Sequence, residues 1–176
     1  MTPNNSLQRA AEFWTLGEHT TVFQVTEANE SDISSWLNLA RQVEHLFGPM
    51  IDHGFDRAVR SNITRGSAFC VRSRTPSDIL AGGLLFDYRN PPNYELSWMA
   101  VETTRRREGI GRLLVDHALT KTISPSTVEV ITFGPDHPGG EAARRFYESL
   151  GFSPGAICNP GPDGRSRQAY ILRLLA

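Results

Sequence analysis

The chain has 176 residues, with 18 Lys and Arg against 19 Asp and Glu, and a formal net charge of −1 at pH 7. This length is enough for one domain with a full hydrophobic core, and the near-neutral charge argues against nucleic-acid binding through a general basic field. Two cysteines, Cys70 and Cys158, favour neither a disulfide framework nor a zinc site, and we expect no metal.

The N-terminal 20 residues read as a polar lead-in to a domain that we predict over residues 21–176. Leu7, Ala10, Ala11 and Trp14 share one helical face, so this lead-in can form a helix that docks on the body. The segment lacks the basic start and apolar run of a signal peptide, and the longest apolar run, residues 79–86, is too short to cross a bilayer. We therefore expect a cytoplasmic protein with no membrane partner.

The remaining chain alternates between strand and helix patterns. Period-2 and aliphatic runs predict strands, whereas apolar residues three and four apart predict helices. The predicted strands are 21–26, 68–72, 79–88, 94–101, 128–133, 156–158 and 168–174, and the predicted helices are 31–46, 55–64, 109–122 and 140–150. This order predicts an α/β fold in which a mixed sheet carries helices on both faces.

One stretch between a predicted strand and a predicted helix carries the clearest functional signal. Residues 106–112 read Arg-Arg-Glu-Gly-Ile-Gly-Arg. Glycines allow close approach to the backbone, and the unpaired amides of a first helical turn attract anions. Arginines add forked, charge-assisted donors that suit phosphate. The stretch therefore predicts a pyrophosphate site, although some of these arginines could form an ordinary solvated basic face.

A second motif lies in the last predicted helix. It runs Ala143-x-x-Phe146-Tyr147-x-x-Leu150, followed by Gly151-Phe152. In this order, and separated by a strand, this motif and Arg106-x-x-Gly109-x-Gly111 resemble the GNAT superfamily of acetyl-CoA-dependent N-acetyltransferases. The resemblance covers the chain from about residue 21 onward. It implies a single domain whose mixed, mostly antiparallel central sheet splays apart between its fourth and fifth strands, with helices on both faces.

The resemblance also implies where acetyl-CoA binds as co-substrate. The pantetheine arm would lie in the splayed gap and use backbone groups of Met99, Ala100 and Val101 as if it were an extra strand. The implied pyrophosphate site consists of Arg106, Arg107, Gly109, Ile110, Gly111 and Arg112. The sequence departs from the family at Gly140, where an asparagine that contacts the pantetheine arm is common.

Two residues are candidates for acid–base chemistry. Glu95 matches the position of a glutamate base in the histone-modifying branch of the family, and its alternative is a solvent-facing strand residue. Tyr147 is the candidate acid that protonates the departing thiolate, and its alternative is a core aromatic. A backbone amide near Met99 or Ala100 would stabilise the oxyanion. We therefore expect an acetyltransferase that acts by direct attack of the amine.

The acceptor is less defined. The leading expectation is a primary amine of a small molecule, and the alternatives are a peptide or protein amine or a non-catalytic acyl-CoA sensor. A nucleotide-binding domain is disfavoured because the glycines follow neither Gly-x-x-x-x-Gly-Lys-Ser/Thr nor Gly-x-Gly-x-x-Gly. The loop segments 44–56 and 159–167 could border the acceptor site or be plain surface connections. A homodimer is a further expectation.

Overall fold

The structure is a computed structural model and describes residues 23–49, 51–73 and 79–176. The lead-in, and with it the start of the first predicted strand, lies outside the described residues. Seven strands form one sheet in the order β1-β2-β3-β4-β5-β7-β6. They are β1 (Val25–Glu27), β2 (Ala68–Arg72), β3 (Leu80–Asn90), β4 (Asn93–Val101), β5 (Ser126–Phe133), β6 (Ser153–Cys158) and β7 (Arg167–Leu174).

All neighbouring strands are antiparallel except β4 and β5, which run parallel. The helices are α1 (Ile33–Arg41), α2 (Glu44–Phe47), α3 (His53–Thr64), α4 (Ile110–Leu119) and α5 (Glu141–Ser149). The predicted fold class is therefore confirmed. The single helix expected over 31–46 was wrong, because the chain turns at Gln42 and Val43 and buries Val43 against the body.

Two apolar cores, one on each face of the sheet, hold the helices. Helices α1 and α3 pack with β2, β3 and the end of β4 on one face, while α4 and α5 pack on the other. Consecutive glycines in β3 permit this close approach on both sides. A Cβ on Gly82 would lie 2.7 Å from Ile110 Cγ2 of α4, and one on Gly83 would lie 2.8 Å from Trp36 Cη2 of α1.

Strand β4 contains a bulge at Ser97. Trp98 pairs with Leu85 and Leu96 pairs with the next residue, Phe86, so Ser97 has no partner in β3. An extra residue reverses which face the side chains occupy. Tyr94 and Leu96 therefore face the α4 core, whereas Trp98 and Ala100 face the α1 core.

The bulge also marks the point where β4 and β5 separate. Their parallel pairing runs from Asn93–Thr127 to Leu96–Val130 and stops there. Beyond it, residues 97–101 of β4 and 131–133 of β5 are not paired with each other. The splayed sheet expected from the sequence is thus present, and its gap opens toward the C-terminal ends of both strands. Within the three described ranges, no helix is long and apolar enough to span a membrane.

Candidate active site

The edge of β4 that faces the gap exposes backbone hydrogen-bonding groups. The Glu102 amide donates to Ala81 O at 2.9 Å and so continues the hydrogen bonding between β3 and β4 past Val101. Backbone groups alternate between the two edges of an antiparallel strand. Ala100 therefore shares the β3 edge with Glu102, whereas the N–H and C=O groups of Met99 and Val101 point toward the gap.

Beyond β4, the chain reaches the N-terminus of α4 through a loop with left-handed backbone. Arg107 has φ +71° and Gly109, the residue before the helix, has φ +83°. A Cβ on Gly109 would meet nothing within 4 Å, so the space beside it is open. The first intrahelical bond runs from the Leu113 amide to Gly109 O. In the part of the chain that the structure describes, the three preceding amides of α4 have no acceptor, as expected for a first helical turn.

Gly111 brings α4 close to α5. Its missing Cβ would lie 3.2 Å from Phe146 Cζ and 3.7 Å from Val101 Cγ2. On the α4 face of the sheet, the gap is thus flanked by the first turn of α4 and by Phe146 of α5.

The four arginines near this loop have different environments. Arg105 pairs with Glu108 at 3.0 Å and lies over the Phe23 ring. Arg112 donates from Nη2 to the Ser149 carbonyl at 3.2 Å, so it caps the C-terminus of α5 and does not pair with Asp116. Arg106 and Arg107 are exposed, and neither has an ion-pair partner among the described residues. Two free guanidinium groups therefore remain beside the helix N-terminus.

Three carboxylates lie in register across the opposite face of the sheet, the one covered by α1–α3. Asp87 of β3 pairs with Glu95 of β4, and Glu95 pairs with Glu129 of β5. They line a groove with a cavity volume of about 330 Å³. Arg89 pairs with Asp87 and lowers the pKa of that carboxyl to about 2 through hydrogen bonding. Glu95 and Glu129 have no cationic partner in the described ranges, so both are available to a ligand.

Tyr147 of α5 has its ring in the core and is 5% exposed. The ring contacts Phe146, Phe152 and Tyr170, with centroid distances of 5.2, 5.5 and 6.5 Å. Burial raises the pKa of its hydroxyl well above the usual value. Because its pKa is raised, the phenol stays protonated at neutral pH.

The decisive comparison is with protein families. The acetyltransferase (GNAT) domain family matches residues 65–154, just over half of the chain. The chain belongs to the GNAT acetyltransferases. Membership makes it an acyltransferase, and the matched segment contains β2 to β5, α4 and α5, which form the gap and the glycine loop. No curated protein is similar enough in sequence to match the chain.

Solved structures give the same fold at low sequence identity. Ard1 from Thermoplasma volcanium has a TM-score of 0.70 at 18% identity, covering 88% of this chain and 99% of that one. The ribosomal-protein-S18-alanine N-acetyltransferase from Escherichia coli has a TM-score of 0.65 at 19% identity, covering 88% and 96%. Arabidopsis thaliana Naa50, in complex with a bisubstrate analogue CoA-Ac-MVNAL, has a TM-score of 0.65 at 15% identity, covering 86% and 99%.

Several residues of the segment between α1 and α3 have structural partners. Asp52 accepts from the Phe55 amide at 2.8 Å and caps α3, and this bond lowers the pKa of its carboxyl. Asp56 pairs with Arg60 at 2.9 Å, and Glu44 Oε1 accepts from the Ile51 amide at 3.1 Å. These three carboxylates therefore bind groups of their own segment, which favours the alternative that residues 44–56 are a plain surface connection.

The departure from the family pattern at Gly140 has a steric explanation. A Cβ there would lie 2.3 Å from Phe133 Cβ and 2.8 Å from Arg144 Nη1. Arg144 Nη1 donates to the Gly134 carbonyl at 2.7 Å. The space that an asparagine side chain would need is occupied, so this GNAT chain has no side-chain amide at that position.

Sequence reasoning missed the groups that surround Glu95. Glu129 lies between Val128 and Val130, and this alternation signals a solvent-side position on a half-buried strand. The signal does not say which strand is the neighbour, so the pairing of Glu129 with Glu95 could not be inferred. The same holds for His137, which precedes α5, and for Asp163 and Arg167, which lie in the β6–β7 loop and at the start of β7.

Proposed function

We propose that this GNAT chain transfers an acetyl group from acetyl-CoA to a primary amine of a small molecule by direct attack. The observation that carries the proposal is the unpaired edge of β4 beside the gap, continuous with the open glycine loop at the start of α4. An extended arm that bears amides can pair with such an edge, and a diphosphate can bind at the loop that follows it.

Acetyl-CoA would supply a thioester as the acetyl donor. In this proposal the C=O group of Met99 and the N–H and C=O groups of Val101 bind the pantetheine arm, and Ala100 holds that edge in place through β3. The pyrophosphate is bound by the side chains of Arg106 and Arg107 and by backbone amides of the loop and first turn. The residues that contribute this backbone are Gly109, Ile110, Gly111 and Arg112. Arg112 acts through its amide because its side chain binds the Ser149 carbonyl.

The amine would approach from the other face of the sheet. Glu95 lies on the α1–α3 face, opposite the glycine loop on the α4 side, so donor and acceptor meet through the gap. An alkylamine with a pKa near 10.4 requires roughly 4–5 kcal/mol to become neutral at pH 7. Glu95 takes the ammonium proton, directly or through a water molecule, and thereby offsets this energy.

The carbonyl oxygen of the thioester and the departing sulfur then need hydrogen-bond donors. The Met99 amide points toward the gap and is the backbone donor that we assign to the oxyanion. Tyr147 donates a hydrogen bond to the sulfur as the C–S bond breaks. The ammonium group loses two protons in all: Glu95 takes the first, and the second leaves the nitrogen as the amide forms and ends on the sulfur, whose thiol has a pKa near 8.5. Because burial raises the pKa of the Tyr147 phenol above that of the thiol, Tyr147 passes this proton to the sulfur and recovers its own from the nitrogen.

A peptide or protein amine is the second candidate acceptor. It is favoured by the structural likeness to the E. coli ribosomal-protein-S18-alanine N-acetyltransferase and to Naa50 in complex with CoA-Ac-MVNAL. An α-amino group has a pKa of about 7.7–8.0 and needs less help from a base. The exposed Glu95–Glu129 groove is open enough to admit either kind of amine.

Calorimetry and a turnover assay test the proposal. Acetyl-CoA should bind with a measurable heat, whereas ATP and NAD should not, and the bound protein should release CoA when a panel of small primary amines and short peptides is added. Preference for ATP or NAD would overturn the cofactor assignment. Binding of acetyl-CoA without CoA release across the whole panel would favour the non-catalytic sensor.

A further inference from the structure

A buried group of polar and aromatic side chains joins three separate segments near the acceptor side of the gap. We call it the His137 cluster and define it as His137, Asp163, Arg167 and Phe133. His137, Arg167 and Phe133 are 5%, 8% and 3% exposed. His137 belongs to the segment between β5 and α5, and Asp163 belongs to the loop between β6 and β7.

The His137 ring makes the central contacts of the cluster. Its Nε2 lies 3.0 Å from the Leu46 carbonyl of α2 and 3.3 Å from Asp163 Oδ2. Both of these atoms can only accept when Asp163 is ionised, so Nε2 carries the hydrogen. Nδ1 has no partner among the described residues. Nε2 therefore donates to Leu46 O of α2, while Asp163 Oδ2 of the β6–β7 loop lies beside it with no hydrogen bond of its own among the described residues.

Further contacts fix the partners of this ring. Arg167 Nη2 donates to Asp163 Oδ1 at 2.8 Å, and its guanidinium lies 5.3 Å from the centroid of Phe133. The Phe133 ring contacts His137 at 4.4 Å and Phe47 of α2 at 4.6 Å. A polar link and an aromatic stack therefore tie the same two segments together.

The backbone of the two segments is also in contact. A Cβ on Gly48, just after α2, would lie 3.2 Å from Pro162 Cβ of the β6–β7 loop. Phe133 ends β5 at the open side of the gap, on the face that carries Glu95. The cluster therefore lies where α2 and the β6–β7 loop meet beside the unpaired ends of the two strands.

We propose that His137 is a positioning residue that clamps α2 to the β6–β7 loop and so sets the shape of the acceptor wall. That the wall faces an amine rests on the proposed function, whereas the clamp itself rests only on the contacts above. Loss of the His137 side chain, with its bond to Leu46 O and its contact with Asp163, should loosen both segments together, although they are more than 100 residues apart in sequence.

Hydrogen–deuterium exchange tests the clamp without any acceptor. In His137→Ala we expect amides of α2 and of residues 159–165 to exchange about fivefold faster, the change expected for one lost hydrogen bond. His137→Gln, whose Nε2 can still donate to Leu46 O, should remain close to wild type. Amides of α4, outside the cluster, serve as the internal reference and should not change.

Asp163→Asn provides a second variant if His137→Ala does not fold. It removes the negative charge that lies beside His137 Nε2 and accepts from Arg167, and it should also speed exchange in both segments. Faster exchange in only one segment, or unchanged exchange in both, would overturn the clamp. The same change in His137→Gln as in His137→Ala would assign the effect to ring packing and reject the link through Nε2.

Kinetics test the role in acceptor binding. With an amine that reacts in the panel, His137→Ala should raise the KM for the amine about tenfold, as expected for one lost positioning contact, and leave the Kd for acetyl-CoA unchanged. An equal loss of acetyl-CoA affinity would reject a role confined to the acceptor wall. If no amine reacts, the proposed function fails while the exchange experiment still decides the clamp.

Discussion

At the scale of single residues, Glu95 and Glu129 form a natural pair for testing the base. They face the same groove from neighbouring strands, but only Glu95 lies on β4 next to the bulge. We expect Glu95→Gln to lower kcat/KM for an alkylamine by about 10²–10⁴, the usual contribution of a general base. The matched variant Glu129→Gln should stay near wild type.

The dependence on the acceptor sharpens this test. Loss of the base should matter less for an acceptor with an α-amino group, because more of that amine is neutral at pH 7. The pH profile of kcat/KM in Glu95→Gln should follow the titration of the amine alone. Equal losses in Glu95→Gln and Glu129→Gln would contradict the base and indicate that the groove only attracts a cation.

Tyr147 offers a prediction about stability at high pH. Burial raises the pKa of its hydroxyl above that of the unfolded chain, near 10. Above that pH the unfolded state loses the proton first, so the free energy of unfolding falls by up to about 1.4 kcal/mol per pH unit. Tyr147→Phe should remove this part of the alkaline loss, while Tyr170 contributes equally to both proteins. Urea unfolding midpoints of the wild type and of Tyr147→Phe, measured between pH 9 and 11, give the difference. If the midpoints of both proteins fall in parallel with pH, the phenol is solvated in the folded state.

Residue-level prediction succeeded where local chemistry decides the structure. Gly109 was expected at a helix start, and it adopts the left-handed conformation beside an open space. Residue-level prediction was incomplete where a long side chain has several distant partners within reach. Arg112 reaches the Ser149 carbonyl on another helix, and Asp52 caps α3. No pattern within ten residues of Arg112 points to Ser149.

At the scale of elements, the two consecutive glycines of β3 determine how closely the helices approach the sheet. Gly83→Ala would place a Cβ 2.8 Å from Trp36 Cη2 of α1. Overpacking of this kind costs typically 1–3 kcal/mol, so we expect that loss in chemical denaturation.

Trp36→Phe supplies the control for this element-scale prediction, because phenylalanine lacks the ring atoms that the new methyl group would meet. In the Trp36→Phe background, Gly83→Ala should be tolerated better, which gives a favourable coupling in the double-mutant cycle. Additive losses would mean that the strand and not the helix absorbs the methyl group.

The elements also show where a one-dimensional pattern loses information. Tyr94, Leu96, Trp98 and Ala100 alternate perfectly, and period 2 alone assigns them to one face. The bulge at Ser97 divides them between the two cores, and no local signal in the sequence marks it. Similarly, the turn at Gln42 and Val43 interrupts an amphipathic run. It buries Val43, and Phe47 of the following helix packs on Phe133 of a distant strand. Element order follows from local patterns, whereas these breaks follow from tertiary contacts.

At the scale of the whole molecule, the gap between β4 and β5 can be reached from both faces of the sheet. The glycine loop and the free arginines lie on the α4 side, and the groove with Glu95 lies on the α1–α3 side. Neither of the two cysteines is suited to carry an acetyl group from the donor side of the sheet to the acceptor side. Cys70 is fully buried and burial raises the pKa of its thiol, which disfavours the reactive thiolate. Cys158 is on β6, separated from the gap by β7 and β5.

This arrangement predicts a sequential mechanism in which both substrates are bound before the acetyl group moves. Initial rates measured while acetyl-CoA and the amine are both varied should give intersecting double-reciprocal lines, because the proposed direct attack forms no acetyl-enzyme. Parallel lines, the signature of a ping-pong mechanism, would contradict direct attack.

The variants Cys70→Ala and Cys158→Ala should retain the wild-type kcat, and a large loss in either would reveal a covalent route. Since the proposed function has donor and acceptor enter from opposite faces, an excess of amine should not compete with acetyl-CoA. Competitive inhibition would place both ligands on the same side of the sheet.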